Sequence, residues 1–521
     1  MIDSRRDFLK FVVSGSVAAS GCPFNFTVGA AEPVKPSAAP APGPAEVDGD
    51  HFQICHQVRD GKTFAEQPIT KRYGVVIIGG GASGLSAAYA SRDQDFLLLE
   101  KEPHWGGNAY REEYQGQGFA TGSAFDIKGS ASQQLAEHLG LTLLPINNPD
   151  PSIIDEKWIP DLWRAGLDQL PYSASVRESF KKFRADIQKL DAEKEAAHLD
   201  SLSLSQYLKD YTPEIKQWYD AYGPSNWGAD ADNTSLFIVA DDFQYLTAEE
   251  DVRRTLPGGN GALTAKLSAT LQSTHGERMI ADATIVSVVP GKSEVIITYL
   301  AAGELLTVAA KFVIMATPKF ITARLVKEMP DAQQEAMLAY RYCPYPVINM
   351  IFDRPVYTRA YDTWAPGNSF SDFIVADWVL RQQPGYVAKN NILTFYTPIH
   401  ESQRHTLLQI PECQQLAAKV LADFRKLQPE FASAEPIEVH LYRRGHPMFM
   451  PVPGNFTKVM PVASRPLDRI YFANTDSISP VSDIGGAVQV GQRGAEWVKK
   501  RMSGVSASAA AATLAPAKSN D

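Results

Sequence analysis

Gly79, Gly81 and Gly84 stand in G-x-G-x-x-G spacing directly after the β-branched run Val-Val-Ile-Ile at 75–78. That run is short and apolar, as a strand buried on both faces should be. The three glycines have separate jobs. The first permits a tight turn, the second lets a pyrophosphate approach the backbone, and the third lets the next helix pack on the strand. Ala82 and Ser83 open that helix, where free N–H groups and the positive end of the helix dipole attract phosphate. A second apolar run, 97–99, ends at Glu100, 21 positions after Gly79. A carboxylate there accepts hydrogen bonds from an adenosine ribose. Gly106, Gly107 and Asn108 follow as a second glycine turn. Strand, glycines, helix, second strand and terminal acid together predict a dinucleotide site.

The elements around this unit follow from pattern. Residues 130–140 and 175–198 carry apolar residues at three- and four-residue intervals, and 128–250 reads as mainly helical. Six aromatic residues crowd it: Trp158, Trp163, Trp218, Tyr219, Tyr222 and Trp227. Most of them are expected in the core and some along a pocket. Pro257-Gly258-Gly259 is a turn that opens a helix over 262–271. Alternating strands are predicted at 284–289, 294–299 and 305–309, then a buried strand at 311–317. The clearest later helix is 413–427. Near the end, 469–474 reads as a strand, followed by Asp476 and by Gly485, Gly486 and Ala487 at the start of a last helix through Lys500.

Composition bounds the class. Of 521 residues, 44% are hydrophobic and 21% charged, ordinary for a globular chain. A net charge of −9 argues against nucleic acid as a partner. The length calls for more than one core. Four scattered cysteines do not make a disulfide scaffold, and buried thiols are expected. His51 and His56 beside Cys55 are too few for a metal site, so no metal is expected. Ser4-Arg5-Arg6-Asp7-Phe8-Leu9-Lys10 ahead of an apolar stretch reads as a twin-arginine export signal, which carries folded proteins. The cut falls after Val28-Gly29-Ala30, or Cys22 is lipidated in a lipobox. A proline- and alanine-rich linker over 31–50 and a disordered tail over 503–521 are expected.

With a nucleotide site at one end and a strand–glycine–helix unit at the other, the chain resembles the flavin-containing amine oxidase superfamily over about 73–500. The resemblance rests on the Gly79–Gly84 fingerprint, Glu100, Gly106-Gly107, Pro257-Gly258-Gly259, the 314–318 strand end and Tyr471-Phe472-Ala473 ahead of Gly485-Gly486-Ala487. Cys55-His56-Gln57 and Arg443-Arg444-Gly445-His446 look most like the spermidine dehydrogenase neighbourhood. The resemblance implies an α/β fold: a Rossmann-like FAD-binding domain of the GR2 type interleaved with an α+β substrate or cap domain. The FAD domain is expected in three parts, 51–127, 251–343 and 446–502. The cap and substrate parts are expected at 128–250 and 344–445. It implies FAD, held without a thioether, as the cofactor. Ile285 would lie against the adenine. Asp476 would bond the ribityl chain, or else cap a helix. Gly486 and Ala487 would face the flavin.

Departures from the family pattern raise questions about the substrate. His104 and Asn108 stand where arginines usually flank the glycine pair, and Asn349 where many amine oxidases place a lysine. Met450 and Asp483 occupy the usual aromatic-cage positions, and His446 the position of a flavin-linking cysteine. His446 is a candidate base, flavin hydrogen-bond donor or covalent anchor, or a loop-capping residue. Asp483 either holds a distal ammonium or is a solvated acid at a helix start. The leading expectation is an exported, periplasmic FAD oxidoreductase that moves a hydride from an amine or polyamine-like small molecule to flavin N5. Oxygen, a quinone or a cytochrome would take the electrons. The alternatives are a desaturase acting on an apolar C–C bond and a non-catalytic FAD-stabilised binding or assembly protein.

Overall fold

The computed structural model describes residues 44–49, 51–65, 67–246, 251–478 and 482–504. The twin-arginine segment, Cys22 and the tail beyond 504 lie outside the described residues.

The run at 75–78 is the end of a longer strand, Ile69–Ile78, whose last four residues are buried. Phe96–Leu99 pairs parallel with it on one side and Glu304–Met315 on the other. Met279–Ile280 extends the sheet beyond Phe96–Leu99, and Val295–Ala301 and Ala283–Pro290 extend it the other way as an antiparallel meander. The sequence pattern reads 305–309 and 311–317 as two strands, but they form one, Glu304–Met315. Its first part pairs with Val295–Ala301 and its last residues with Ile470–Phe472. The two partners follow each other along one edge, because Ile69–Ile78 occupies the other edge from Thr307 to Met315. The helices Ala82–Ala90, Gly261–His275 and Ile484–Met502 pack against this sheet through Leu85, Leu267 and Val488, all buried.

A second, eight-stranded sheet carries the substrate half. Its order is Glu46–Asp48, Glu438–Tyr442, Val347–Phe352, Asn391–Tyr396, Asp372–Val375, Asp362–Trp364, Ser152–Ile154 and Lys157–Ile159. One face is closed by the helix Ile410–Leu427, with Phe352, Phe373, Phe395 and Phe424 in a common core. A helical cap adds Ala174–Ile187, Pro213–Asn226 and Leu236–Leu246 around Trp163, Phe183 and Tyr219.

Three expectations differ from what is seen. The linker expected over 31–50 is packed by Ala45, which is buried, and Glu46–Asp48 pairs parallel with His440–Tyr442. The 128–250 region is not wholly helical. Ser152–Ile154 and Lys157–Ile159 form a hairpin that joins the second sheet, after Pro149 and Pro151 exclude a helix. The helix expected through 198 stops at Ile187. Asp191 and Glu195 take the N–H groups of Lys194 and Asp191 on their own side chains, which turns the chain. Among the described residues no helix is long and apolar enough to cross a membrane.

Candidate active site

The glycine loop is built as its spacing requires. Gly79 has φ +105°, and a Cβ on Gly84 would lie 1.7 Å from the Gly79 carbonyl oxygen. A Cβ on Gly81 would meet only the Cα of Gly107, at 3.8 Å. That open side faces the N-terminal turn of Ala82–Ala90, whose first N–H groups have no partner within the helix. The second glycine turn closes on the first: Gly106 N–H donates to the Gly80 carbonyl at 2.9 Å. Gly107, at φ +56°, allows the two backbones to touch. The cradle is thus lined by backbone at Gly81 and Gly107, the approach a pyrophosphate needs.

Glu100 lies buried at the edge of the cradle. Its carboxylate accepts from Gly80 N–H at 2.5 Å and from Glu102 N–H at 2.8 Å. Burial pushes its pKa up, while Lys101 and the two N–H groups oppose that shift. Ile285, 6% exposed, sits in the neighbouring strand, and Ala283 N–H donates to the Glu100 carbonyl. Asn108 projects from the second glycine turn. It donates to the Pro447 carbonyl at 2.8 Å and accepts from Arg444 at 3.2 Å. Arg444 also binds Thr121. The cation missing from the glycine pair in sequence thus arrives from a loop more than 300 residues later. The Arg443-Arg444 pair was the available signal for it.

Three expected roles do not match the surroundings found: Asp476 at the ribityl chain, and Asn349 and His446 as reacting groups. Asp476 is fully buried, and its carboxylate accepts from Lys319 Nζ at 2.8 Å, Lys319 N–H at 2.9 Å, Tyr342 Oη at 2.6 Å and Asn474 Nδ2 at 3.2 Å. Asp476 thus sits 0% exposed among protein donors, away from an open ribityl position, and by taking the first N–H of the helix Lys319–Leu325 it caps that helix. Lys319 is equally buried, which lowers its pKa against the pull of Asp476. Asn349 is enclosed between the Ala120 carbonyl at 3.1 Å and Thr394 at 2.6 Å, away from any cavity. His446 packs on Phe320, with ring centroids 4.6 Å apart, and only its neighbours Pro447 and Met448 reach the cavity wall. Met450 is a core residue, 6% exposed. Asp483 caps the last helix by accepting from Gly486 N–H at 2.6 Å, and it also lines the cavity. Gly486 and Ala487 stand in the first turn of that helix.

The cavity, about 310 Å³, runs from Asn108, Asp483 and Ile484 into the space between the second sheet and the helical cap. Trp218, Tyr222 and Trp364 form one aromatic wall, with Tyr222 and Trp364 centroids 4.4 Å apart. Tyr345 and Tyr396 form another, edge to face at 5.8 Å. Burial holds both phenols well above their ordinary pKa, so they stay uncharged. Sequence reading placed Trp163, Trp218 and Tyr222 in a helical region, but nothing marked Tyr345, Trp364 or Tyr396 as wall residues. The described residues contain no group of three potential metal ligands. Cys343 and Cys413 are buried and Cys55 is half-buried, and none of the three is in a disulfide.

A dinucleotide cradle on a mixed sheet, with an aromatic cavity between a second sheet and a helical cap, is the arrangement of an FAD-dependent oxidoreductase. The family assignment follows from comparison. The profile of the flavin-containing amine oxidoreductase family matches residues 82–498, and the chain belongs to that family. It is 23% identical over 518 residues to oxidoreductase PigB of Serratia sp. (strain ATCC 39006), covering 84% of this chain and 76% of that protein. It is 25% identical over 485 residues to flavin-containing amine oxidase A of Canis lupus familiaris, covering 82% and 85%. Its fold is similar to that of putrescine oxidase bound to putrescine, at TM-score 0.66, 17% identity, 82% of this chain and 99% of that one. It is equally similar to cyclohexylamine oxidase from Brevibacterium oxydans IH-35A, at TM-score 0.66 and 17% identity, with 83% and 99% covered.

Proposed function

We propose that this FAD-dependent amine oxidoreductase acts on a small aliphatic amine, and that it does so outside the cytoplasm. The observation that carries the substrate reading is the cavity wall. It joins uncharged aromatic faces to buried carboxylates, a lining that suits an amine and not a wholly apolar polyene. An amine must present a neutral nitrogen for oxidation, and a dry aromatic wall favours the neutral form. FAD in the glycine cradle would supply the acceptor for a hydride equivalent from the carbon beside that nitrogen. The residues of the chain do the rest. Gly81, Gly107 and the start of Ala82–Ala90 hold the phosphates. Asn108 and Arg444 tie the cradle to the cavity mouth. Trp364, Tyr345 and Tyr396 exclude water and align the carbon chain.

The putrescine and cyclohexylamine oxidases of similar fold act on amines by their names, which agrees with this reading. Family membership favours oxygen as the electron acceptor, with a quinone or cytochrome as alternatives. Export is proposed from Arg5-Arg6 and its flanking residues alone. The decisive experiment is anaerobic mixing of the oxidised holoprotein with monoamines, diamines and a polyene. Bleaching of the flavin by an amine is expected. Bleaching by the polyene alone, across neutral to mildly alkaline pH, would overturn the amine reading.

A further inference from the structure

The strands Asp362–Trp364 and Asp372–Val375 pair antiparallel, with Asp362 opposite Ile374 and Trp364 opposite Asp372. Asp362, Trp364, Asp372 and Ile374 therefore share one face of the sheet, and all four line the cavity. The two aspartates are diagonal neighbours across the pair. They are 4% and 3% exposed. Asp372 accepts from Ser225 Oγ at 2.6 Å, and Ser225 in turn meets Tyr345 Oη at 2.6 Å. Asp362 Oδ1 has no hydrogen-bond partner within the protein. A buried polar atom of this kind calls for an explanation, since the large majority of buried side-chain polar atoms are paired.

Among the described residues, the hydrogen bonds that the nearby guanidinium groups make go to other acceptors. Arg253 is the guanidinium at this end of the cavity, and its donors go elsewhere. Nη1 meets both Asp150 oxygens at 2.6 and 2.5 Å, Nε meets Asp251 at 2.9 Å, and Nη2 meets the Asn148 carbonyl at 2.5 Å. Arg164 pairs with Asp161 at 3.2 Å. Arg444 serves Asn108 and Thr121 at the other end. Burial pushes Asp372 up to about 8, with Ser225 opposing and Asp150 adding. Burial pushes Asp362 well above its ordinary range, with Asp372 and Asp150 adding and Arg253 opposing. Asp483 already spends Oδ1 on the helix cap.

We propose that Asp362 and Asp372 bind a second ammonium of the substrate, so that the enzyme prefers diamines and polyamines to monoamines. This rests on the amine reading above and names the substrate class within it. The nearer nitrogen would lie toward Asn108 and the glycine cradle. The distal ammonium would donate to Asp362 Oδ1 and Asp372 while the aromatic wall covers the methylenes between. The absence of three clustered metal ligands among the described residues favours an organic cation over a metal ion.

The test compares flavin reduction by diamines, spermidine and monoamines of matched chain length, in wild type, Asp362→Asn and Asp372→Asn. The wild type is expected to favour diamines by about tenfold or more in kred/Kd, the range of a charge-assisted hydrogen bond. Each variant should lose about tenfold or more of that ratio. A role confined to structure would lower stability and leave the ratio alone. Asp362→Asn exchanges a buried carboxyl that burial keeps uncharged for an amide of the same shape, so its Tm should move by no more than about 3 °C. An unchanged ratio in both variants overturns the subsite. So does a wild type that oxidises monoamines as well as diamines, and in both cases the amine reading stands. If no amine bleaches wild-type flavin, the amine reading fails and the subsite with it. Should Asp362→Asn fail to hold FAD, Asp372→Asn and the wild-type ratio decide the question.

Discussion

Glu100 shows how one side chain can hold a loop before it meets a ligand. Its oxygens accept from Gly80 and Glu102, so the carboxylate braces the first glycine turn from within. A ribose would replace bonds the protein already makes, and little reorganisation is needed. Glu100→Ala removes a hydrogen-bonded charge, a loss of about 1.5–3 kcal/mol. FAD affinity should fall roughly 10- to 100-fold, as read by titration of the apoprotein. Reduction of the flavin-loaded fraction should change far less. Unchanged FAD affinity would remove Glu100 from the ribose site. Lys319 and Asp476 are the contrasting case. Neither residue type announces burial, and each is tolerated in the core because the other is there.

At the scale of elements, the strand Glu438–Tyr442 ties three parts of the chain together. It pairs with Glu46–Asp48 on one edge and with Val347–Phe352 on the other. His440 on this strand lies between Glu112 at 3.1 Å and Glu438 at 3.0 Å. The hydrogen bond to Glu112 is the main reason its pKa rises from 6.5 to about 9, with burial opposing. A raised value in the folded state means the stabilisation is complete below pH 6.5 and is lost as pH climbs through 9. Chemical denaturation between these limits should show stability falling with pH. His440→Gln should flatten that dependence while leaving the dependence below pH 6 in place. An equal slope in wild type and variant would show that His440 does not carry it.

Across the whole molecule, segments distant in sequence meet at one place. The cradle comes from residues near 80 and 106, its cation from Arg444, and the cavity from strands and helices between 150 and 396. FAD binding therefore depends on a nearly complete fold, which suits a route that exports folded protein. Replacing Arg5 and Arg6 together by lysine should hold the FAD-loaded protein in the cytoplasm, as read by fractionation and by the intact N-terminal mass. Unaltered export of the double variant would show that the pair is not the signal.

The nucleotide half was legible because its chemistry is local. A tight turn, a backbone approach and a helix start each need a specific residue type at a fixed offset, so Gly79, Gly81, Gly84 and Glu100 announce themselves within 22 positions. The substrate half was not legible by the same means. Ungapped counting pointed to His446, Met450 and Asp483, and the Pro346–Ile348 segment to Asn349, yet His446 packs on Phe320, Met450 lies in the core and Asn349 is held by Ala120 and Thr394. Which carboxylates share a cavity depends on strand register: a slip of one residue between Asp362–Trp364 and Asp372–Val375 would send one aspartate to the opposite face. Register is set by long-range pairing and by the apolar core behind the sheet. No spacing along the chain records it.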